Sequence, residues 1–142
     1  MMQIPDLSEH RVLRNVKVAA NHRLLTWDTG KRASTGQHKI GYAFFVSLQD
    51  EKPLFLGEDC GVSPMHCIDS ADALLGLLSF LTLKPGDTDA EYFDSYTPDQ
   101  LDWCKSSEAE DLCLCLYDAE SGDADKEALF EEIDAQGGLE AG

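Results

Sequence analysis

Apolar and polar residues alternate along the first third of the chain and recur at three- and four-residue steps after it. In Arg11–Ala19, Val12, Val16 and Val18 fall on one side and Leu13, Asn15 and Lys17 on the other. That is the two-residue period of a half-buried strand. Arg23–Thr29 places Leu25 and Trp27 together and predicts a second strand, reached through a turn at Asn21-His22. In His38–Leu48, Ile40, Tyr42, Phe44, Val46 and Leu48 share one face, with Gly41, Ala43, Phe45 and Ser47 on the other. Pro53–Gly57 predicts a short fourth strand, with proline at its first position or on an edge. The connections are short, so an antiparallel meander is the simplest topology.

The period changes at the most apolar stretch, Ser63–Asp89. Asp69 or Ser70 can cap a helix running to about Leu83, in which Ala71, Leu74, Leu75, Leu78 and Leu81 form a stripe that Leu77 and Phe80 widen. A helix this apolar belongs in a core, and Pro85-Gly86-Asp87 ends it as a turn. Thr88–Glu91 has the pattern of a capping box and predicts a short helix holding Tyr92, Phe93 and Tyr96. Thr97-Pro98-Asp99-Gln100 adds proline at the first helical position, so a helix is expected from Pro98 to about Lys105. Ser107–Glu110 can cap a further segment. Leu112–Tyr117 (LCLCLY) reads as either a helix continuing Ala109, Leu112, Cys113 and Leu116 or an alternating strand, and the helix is preferred. Lys126–Ala135 predicts a terminal helix that buries Leu129, Phe130 and Ile133.

Strands first and helices after define an α+β class: a four-stranded antiparallel meander in the N-terminal half, packed on one face by the central helix and the helices that follow. One domain is expected over residues 1–142. It comprises a polar lead-in at 1–9, strands at 10–57, helices at 63–118 and an acidic tail at 119–142.

Charge divides the chain. Residues 1–50 carry seven Lys/Arg against four Asp/Glu, and residues 51–142 carry four Lys against 23 Asp/Glu, within a net charge of −16. A general binder of nucleic acid or of anionic membranes is disfavoured, and the acidic part suits a basic protein partner. Five cysteines without a secretory leader at Met1–His10 predict thiols in a cytoplasmic protein, and no stretch approaches the ~20 apolar residues of a membrane span.

Several groupings of residues could carry chemistry. Cys60, His66 and Cys67 lie before the central helix, where a helix dipole can lower a thiol pKa, so Cys60 and His66 are candidate nucleophile and base. With Asp59 they are also candidate contacts for a small molecule or nucleotide. With Cys104, Cys113 or Cys115 the same residues could complete a zinc site, but paired C-x-x-C knuckles are missing and core packing is the preferred reading. No metal or cofactor is expected. Gly30–Lys39 is a basic, glycine-flanked loop in which Lys31, Arg32 and Lys39 are candidate anion-binding groups, although it departs from a P-loop. The acidic run from Asp118 fails the EF-hand pattern at its sixth position.

Carboxylates on the later helices, interleaved with Tyr92, Tyr96 and Trp103, form the largest candidate surface. Asp94, Asp99, Asp102 and Glu110 are the expected partner-binding residues. Helices can space carboxylates somewhat as phosphates are spaced along a duplex. In size and charge the chain is similar to the small acidic inhibitors of phages and plasmids that occupy cationic grooves of nucleic-acid enzymes. The expected function is therefore a small acidic interaction protein rather than an enzyme, with the ligand-binding site near Asp59, Cys60, His66 and the basic loop as the alternative. A homodimer covering Leu112–Tyr117 and the terminal helix is a third reading.

Overall fold

A computed structural model describes residues 4, 6–19, 21–32, 34, 36, 38–47, 49, 51–60, 71–82, 96–121, 128, 131–133 and 135. The chain divides into two compact units, Met1–Leu74 with Phe130–Gly142, and Leu75–Leu129.

The first unit holds one sheet in the order β1-β2-β3-β4, formed by β1 (Val12–Ala19), β2 (His22–Arg32), β3 (His38–Phe45) and β4 (Phe55–Cys60). All three pairings are antiparallel, so the predicted meander is the observed topology. The register places Val16, Leu24, Phe44 and Phe55 side by side across the four strands. All four are buried, and Ile40 shares their face. His22 stacks on Phe44 with ring centroids 5.7 Å apart, and Phe55 tilts against Phe44 at 6.3 Å. On the opposite face Leu25, Trp27, Ala43 and Phe45 form a second buried cluster, with Ile4, Val12 and Leu56 packed against it. Both faces of the sheet are therefore apolar, and Ile4 of the polar lead-in is part of that packing. Ahead of β1, Asp6 accepts from the backbone and hydroxyl of Ser8 at 3.0 and 2.7 Å and holds a 3-10 turn at Leu7–Glu9.

The strands differ from the sequence expectation at several points: β2 already takes in His22, β3 ends at Phe45 instead of running on through Val46, and two register irregularities and a longer β4 add to these. Between Val12 and Arg14 the register shifts, so Val12 pairs with Trp27 instead of sharing the face of Val16, and Leu13 is buried at the irregularity. β2 runs on to Arg32 through a second irregularity, where Gly30 takes a left-handed φ of 79°. Asp28 accepts from Gly30 N at 2.8 Å, and Thr29 Oγ1 donates to Lys39 O at 2.7 Å, which ties the extension to β3. Lys31, Arg32 and Lys39 thus lie on strand ends rather than in an open loop. β4 begins at Phe55 and runs on through Glu58, Asp59 and Cys60, past the end of the predicted Pro53–Gly57 strand.

Two glycines in this sheet each face an aromatic ring. Trp27 is the register partner of Gly41 and Tyr42 that of Gly57. A Cβ at Gly41 would lie against Cε2 and Nε1 of the Trp27 indole, and one at Gly57 would stand 2.7 Å from the Tyr42 hydroxyl. Each ring lies over bare backbone, on opposite faces of the sheet.

The second unit contains α1 (Ala71–Leu81) from Leu75 onward, α2 (Pro98–Cys104) and α3 (Ser107–Ser121). Leu75, Leu77, Leu78 and Leu81 are buried, in keeping with a core helix. Thr82 closes α1 by donating its hydroxyl to Leu78 O at 2.9 Å. The predicted capping box is present at α2: Thr97 Oγ1 accepts from Gln100 N at 3.2 Å, and Gln100 Oε1 accepts from Thr97 N at 2.9 Å. LCLCLY is helical, as preferred, and continues from Ala109 through Leu112 to Leu116. The expected helix around Tyr92–Phe93 lies outside the described residues, and Tyr96 sits in a bend. Within Lys126–Ala135 the described residues 128, 131–133 and 135 are helical, and Ile133 is buried as expected.

Candidate functional site

Two short connections decide how the acidic helices present themselves. Pro98 and the Thr97 cap start α2, which buries Trp103 and Cys104 on one side. Ser106 then joins α2 to α3. Its hydroxyl donates to Trp103 O at 2.5 Å and accepts from Ala109 N at 3.3 Å, so one oxygen serves the end of one helix and the start of the next. The cap was expected at Ser107, one residue later. Because Ser106 is the capping residue, Ala109, Leu112 and Leu116 turn inward and are buried.

The outward side is acidic. Asp99 and Asp102 on α2 and Glu108, Glu110 and Asp111 on α3 are all exposed. Lys105 is the single Lys or Arg between Tyr96 and Leu116. Of the expected partner-binding residues, Asp99, Asp102 and Glu110 therefore belong to one pair of consecutive helices, and Asp94 lies outside the described residues. Acidic side chains in the first turn, here Asp99, Glu108 and Glu110, also suit the positive ends of α2 and α3. Leu114 stands 55% exposed on α3. At 100° per residue it lies opposite Ala109, Leu112 and Leu116, one turn beyond Glu110 and Asp111.

Of the other candidate residues, Lys31, Arg32, Lys39, Asp59 and Cys60 lie on β2, β3 and β4 of the sheet. Cys60 pairs in register with Lys39, and Asp59 with Ile40, so the backbone of β4 brings Cys60 beside the basic hairpin. His66 and Cys67 lie outside the described residues. Lys31 Nζ stands 3.5 Å from Glu58 Oε2, and His38 Nδ1 stands 3.4 Å from Asp28 Oδ2. Arg32 donates to Gly36 O at 3.3 Å. Lys31 and Arg32 thus make contacts within the hairpin and with β4. Among the described residues no group of three or more His, Cys, Asp or Glu side chains is arranged to hold a metal ion.

Cys104, Cys113 and Cys115 differ sharply in setting. Cys104 is buried, Cys113 half-buried and Cys115 exposed. The Cys113 thiol donates to Thr82 O at 2.8 Å and so ties α3 to the end of α1. Burial, with a smaller contribution from Cys113, pushes the Cys104 thiol up to about 11. Its thiolate is therefore scarce at neutral pH, and Cys104 should resist alkylation while Cys115 reacts. Peptide mapping after brief iodoacetamide treatment at pH 8 checks this; labelling of Cys104 at the rate of Cys115 would refute it. An unfolded chain ionises Cys104 near its ordinary 9.0 and the folded chain near 11. The folded state holds the extra proton between those values, so this contribution to stability is intact below pH 9 and is lost as pH rises through 11.

No protein-family model, curated protein or solved structure matches this chain. The fold defines its class as α+β, a four-stranded antiparallel sheet with several helices. Among the described residues no helix is long and apolar enough to cross a membrane.

Proposed function

We propose that this chain is a small acidic interaction protein that offers the exposed side of α2 and α3 to a basic protein partner in the cytoplasm. The observation that carries the reading is the set of five exposed carboxylates, Asp99, Asp102, Glu108, Glu110 and Asp111, accompanied by Lys105 alone. A surface of one sign steers an oppositely charged partner during encounter and rejects like-charged ones. The most specific form of this reading is a nucleic-acid mimic, in which helical carboxylates occupy a cationic groove built for phosphates. A partner of that kind would be a nucleic-acid-handling protein, and the chain itself would perform no reaction.

The test is a tagged pull-down from nuclease-treated lysate of the source organism, washed at rising salt and repeated with D94N, D99N, D102N and E110Q combined. One basic protein should be retained at low salt and released as salt rises. Exposed ion pairs contribute about 0.2–1 kcal/mol each, so the combined variant should weaken binding roughly tenfold or more. Capture of the same partner at unchanged affinity and salt dependence would remove the reading.

One observation favours a second reading, a small-molecule site or modest enzyme at the end of β4. The Lys39–Cys60 register places a thiol-bearing residue beside a basic hairpin. Native mass spectrometry of the purified protein would reveal a bound ligand, and its retention by C60A with H66A would count against that site.

A further inference from the structure

We infer that the partner of the acidic face presents a basic amphipathic helix, whose apolar side chain covers Leu114 while its lysines or arginines meet Glu110 and Asp111. The inference rests on the interaction reading above and adds an apolar anchor to it. It starts from an observation that is independent of charge. α3 already turns Ala109, Leu112 and Leu116 inward, so its apolar requirement is met on the buried side. Leu114 nevertheless stands on the opposite side, 55% exposed. Its helical neighbours one turn earlier, at i−3 and i−4, are Asp111 and Glu110, both exposed. Ser107, two turns earlier on the same line, is exposed as well.

An isolated exposed leucine is ordinary, and an acidic helix face is ordinary. Together they have the layout of a small interface, with an apolar centre that loses water on contact and a charged rim that sets orientation. Charge complementarity selects the occupant. A partner segment that covers Leu114 must pass within reach of two carboxylates, so its flanking positions need to be cationic. A helix supplies an apolar residue with cations three and four positions away on one face, matching the spacing on α3. A groove that recognises phosphates alone has no use for Leu114, so the anchor separates this partner from a bare polyanion site.

The test uses two synthetic helical peptides of equal length and charge. One carries leucines along a single face flanked by lysines, and in the other glutamine replaces each leucine. Binding of both to the full chain is measured by calorimetry at low and moderate salt, for the native protein, L114Q, and E110Q with D111N. L114Q should weaken the leucine peptide roughly tenfold, as expected for losing most of one leucine contact. It should leave the glutamine peptide unchanged. E110Q with D111N should weaken both peptides.

If L114Q leaves the leucine peptide within twofold of the native value, or weakens both peptides alike, the anchor is overturned while the acidic interaction reading stands. If the carboxylate variant changes neither peptide, the anchor fails together with the reading it rests on. Leu114 is exposed, so L114Q should keep the native circular dichroism spectrum. L114A is the second variant, with the same pattern at smaller amplitude.

Discussion

Replacing Phe44 by alanine is expected to cost about 3–5 kcal/mol, the range for truncating a large aromatic side chain in a packed core. Phe44 is fully buried, lies between Leu24 and Phe55 in the sheet register, and stacks against His22. Truncation removes the ring from three neighbours at once, and a sheet is poorly able to collapse around the gap because its strand spacing is set by backbone hydrogen bonds. Total stabilities of about 5–15 kcal/mol leave little margin for such a loss, so the variant should be marginal or unfolded at 37 °C. Urea titration followed by circular dichroism gives the measurement. F44L, which keeps most of the volume, should cost under about 1.5 kcal/mol and provides a folded comparator if F44A does not fold. A midpoint for F44A equal to that of F44L would show that the ring is not central to the sheet.

Much of this architecture is legible in the sequence because strand and helix leave different periods. The alternation through Ile40, Tyr42 and Phe44 and the Thr97–Gln100 capping box both predict local structure that the protein forms. What is not legible depends on partners distant in sequence. The displacement of Val12 onto the Trp27 face follows from a register shift, which exists only once β1 and β2 have paired. The extension of β2 to Arg32 depends on Thr29 reaching Lys39, and on Gly30 accepting a left-handed backbone. A run of polar residues between glycines gives the same signal whether it loops freely or continues a ladder past a bulge.

The candidate sites show the same division. Asp99, Asp102 and Glu110 can be placed on exposed helix faces because charged residues seldom turn inward. Leu114 is harder to place, because LCLCLY reads as apolar throughout and invites burial of the whole run. A helix cannot bury every position of such a run against one neighbour, and burial of Ala109, Leu112 and Leu116 forces Leu114 outward. Which of several leucines is left in water is decided by the phase of the helix. That phase is set partly by the Ser106 hydroxyl between α2 and α3.

Substituting alanine for Gly41 is expected to destabilise the protein by about 1–3 kcal/mol, the range for overpacking a filled site. One methyl group is enough because its place is already occupied by the Trp27 indole. Nonbonded carbons sit about 3.5–4.0 Å apart at their optimum, and a Cβ here would meet Cζ2 at 2.5 Å. The indole would have to leave the cluster it shares with Leu25, Ala43 and Phe45, so a clash becomes a loss of packing. G76A is the control: Gly76 is exposed on α1, with nothing within 4 Å of an added Cβ. The same chemical change should there stabilise by roughly 0.5–1 kcal/mol, since alanine is the better helix former. Chemical denaturation of both variants in a W103F background leaves Trp27 as the fluorescent reporter. Equal and small effects at the two glycines would mean that the indole does not rest on Gly41. Opposite signs would establish the pairing, and W27L, made in the native Trp103 background and followed by circular dichroism, should then make G41A nearly neutral, because the ring that excludes the methyl group is gone.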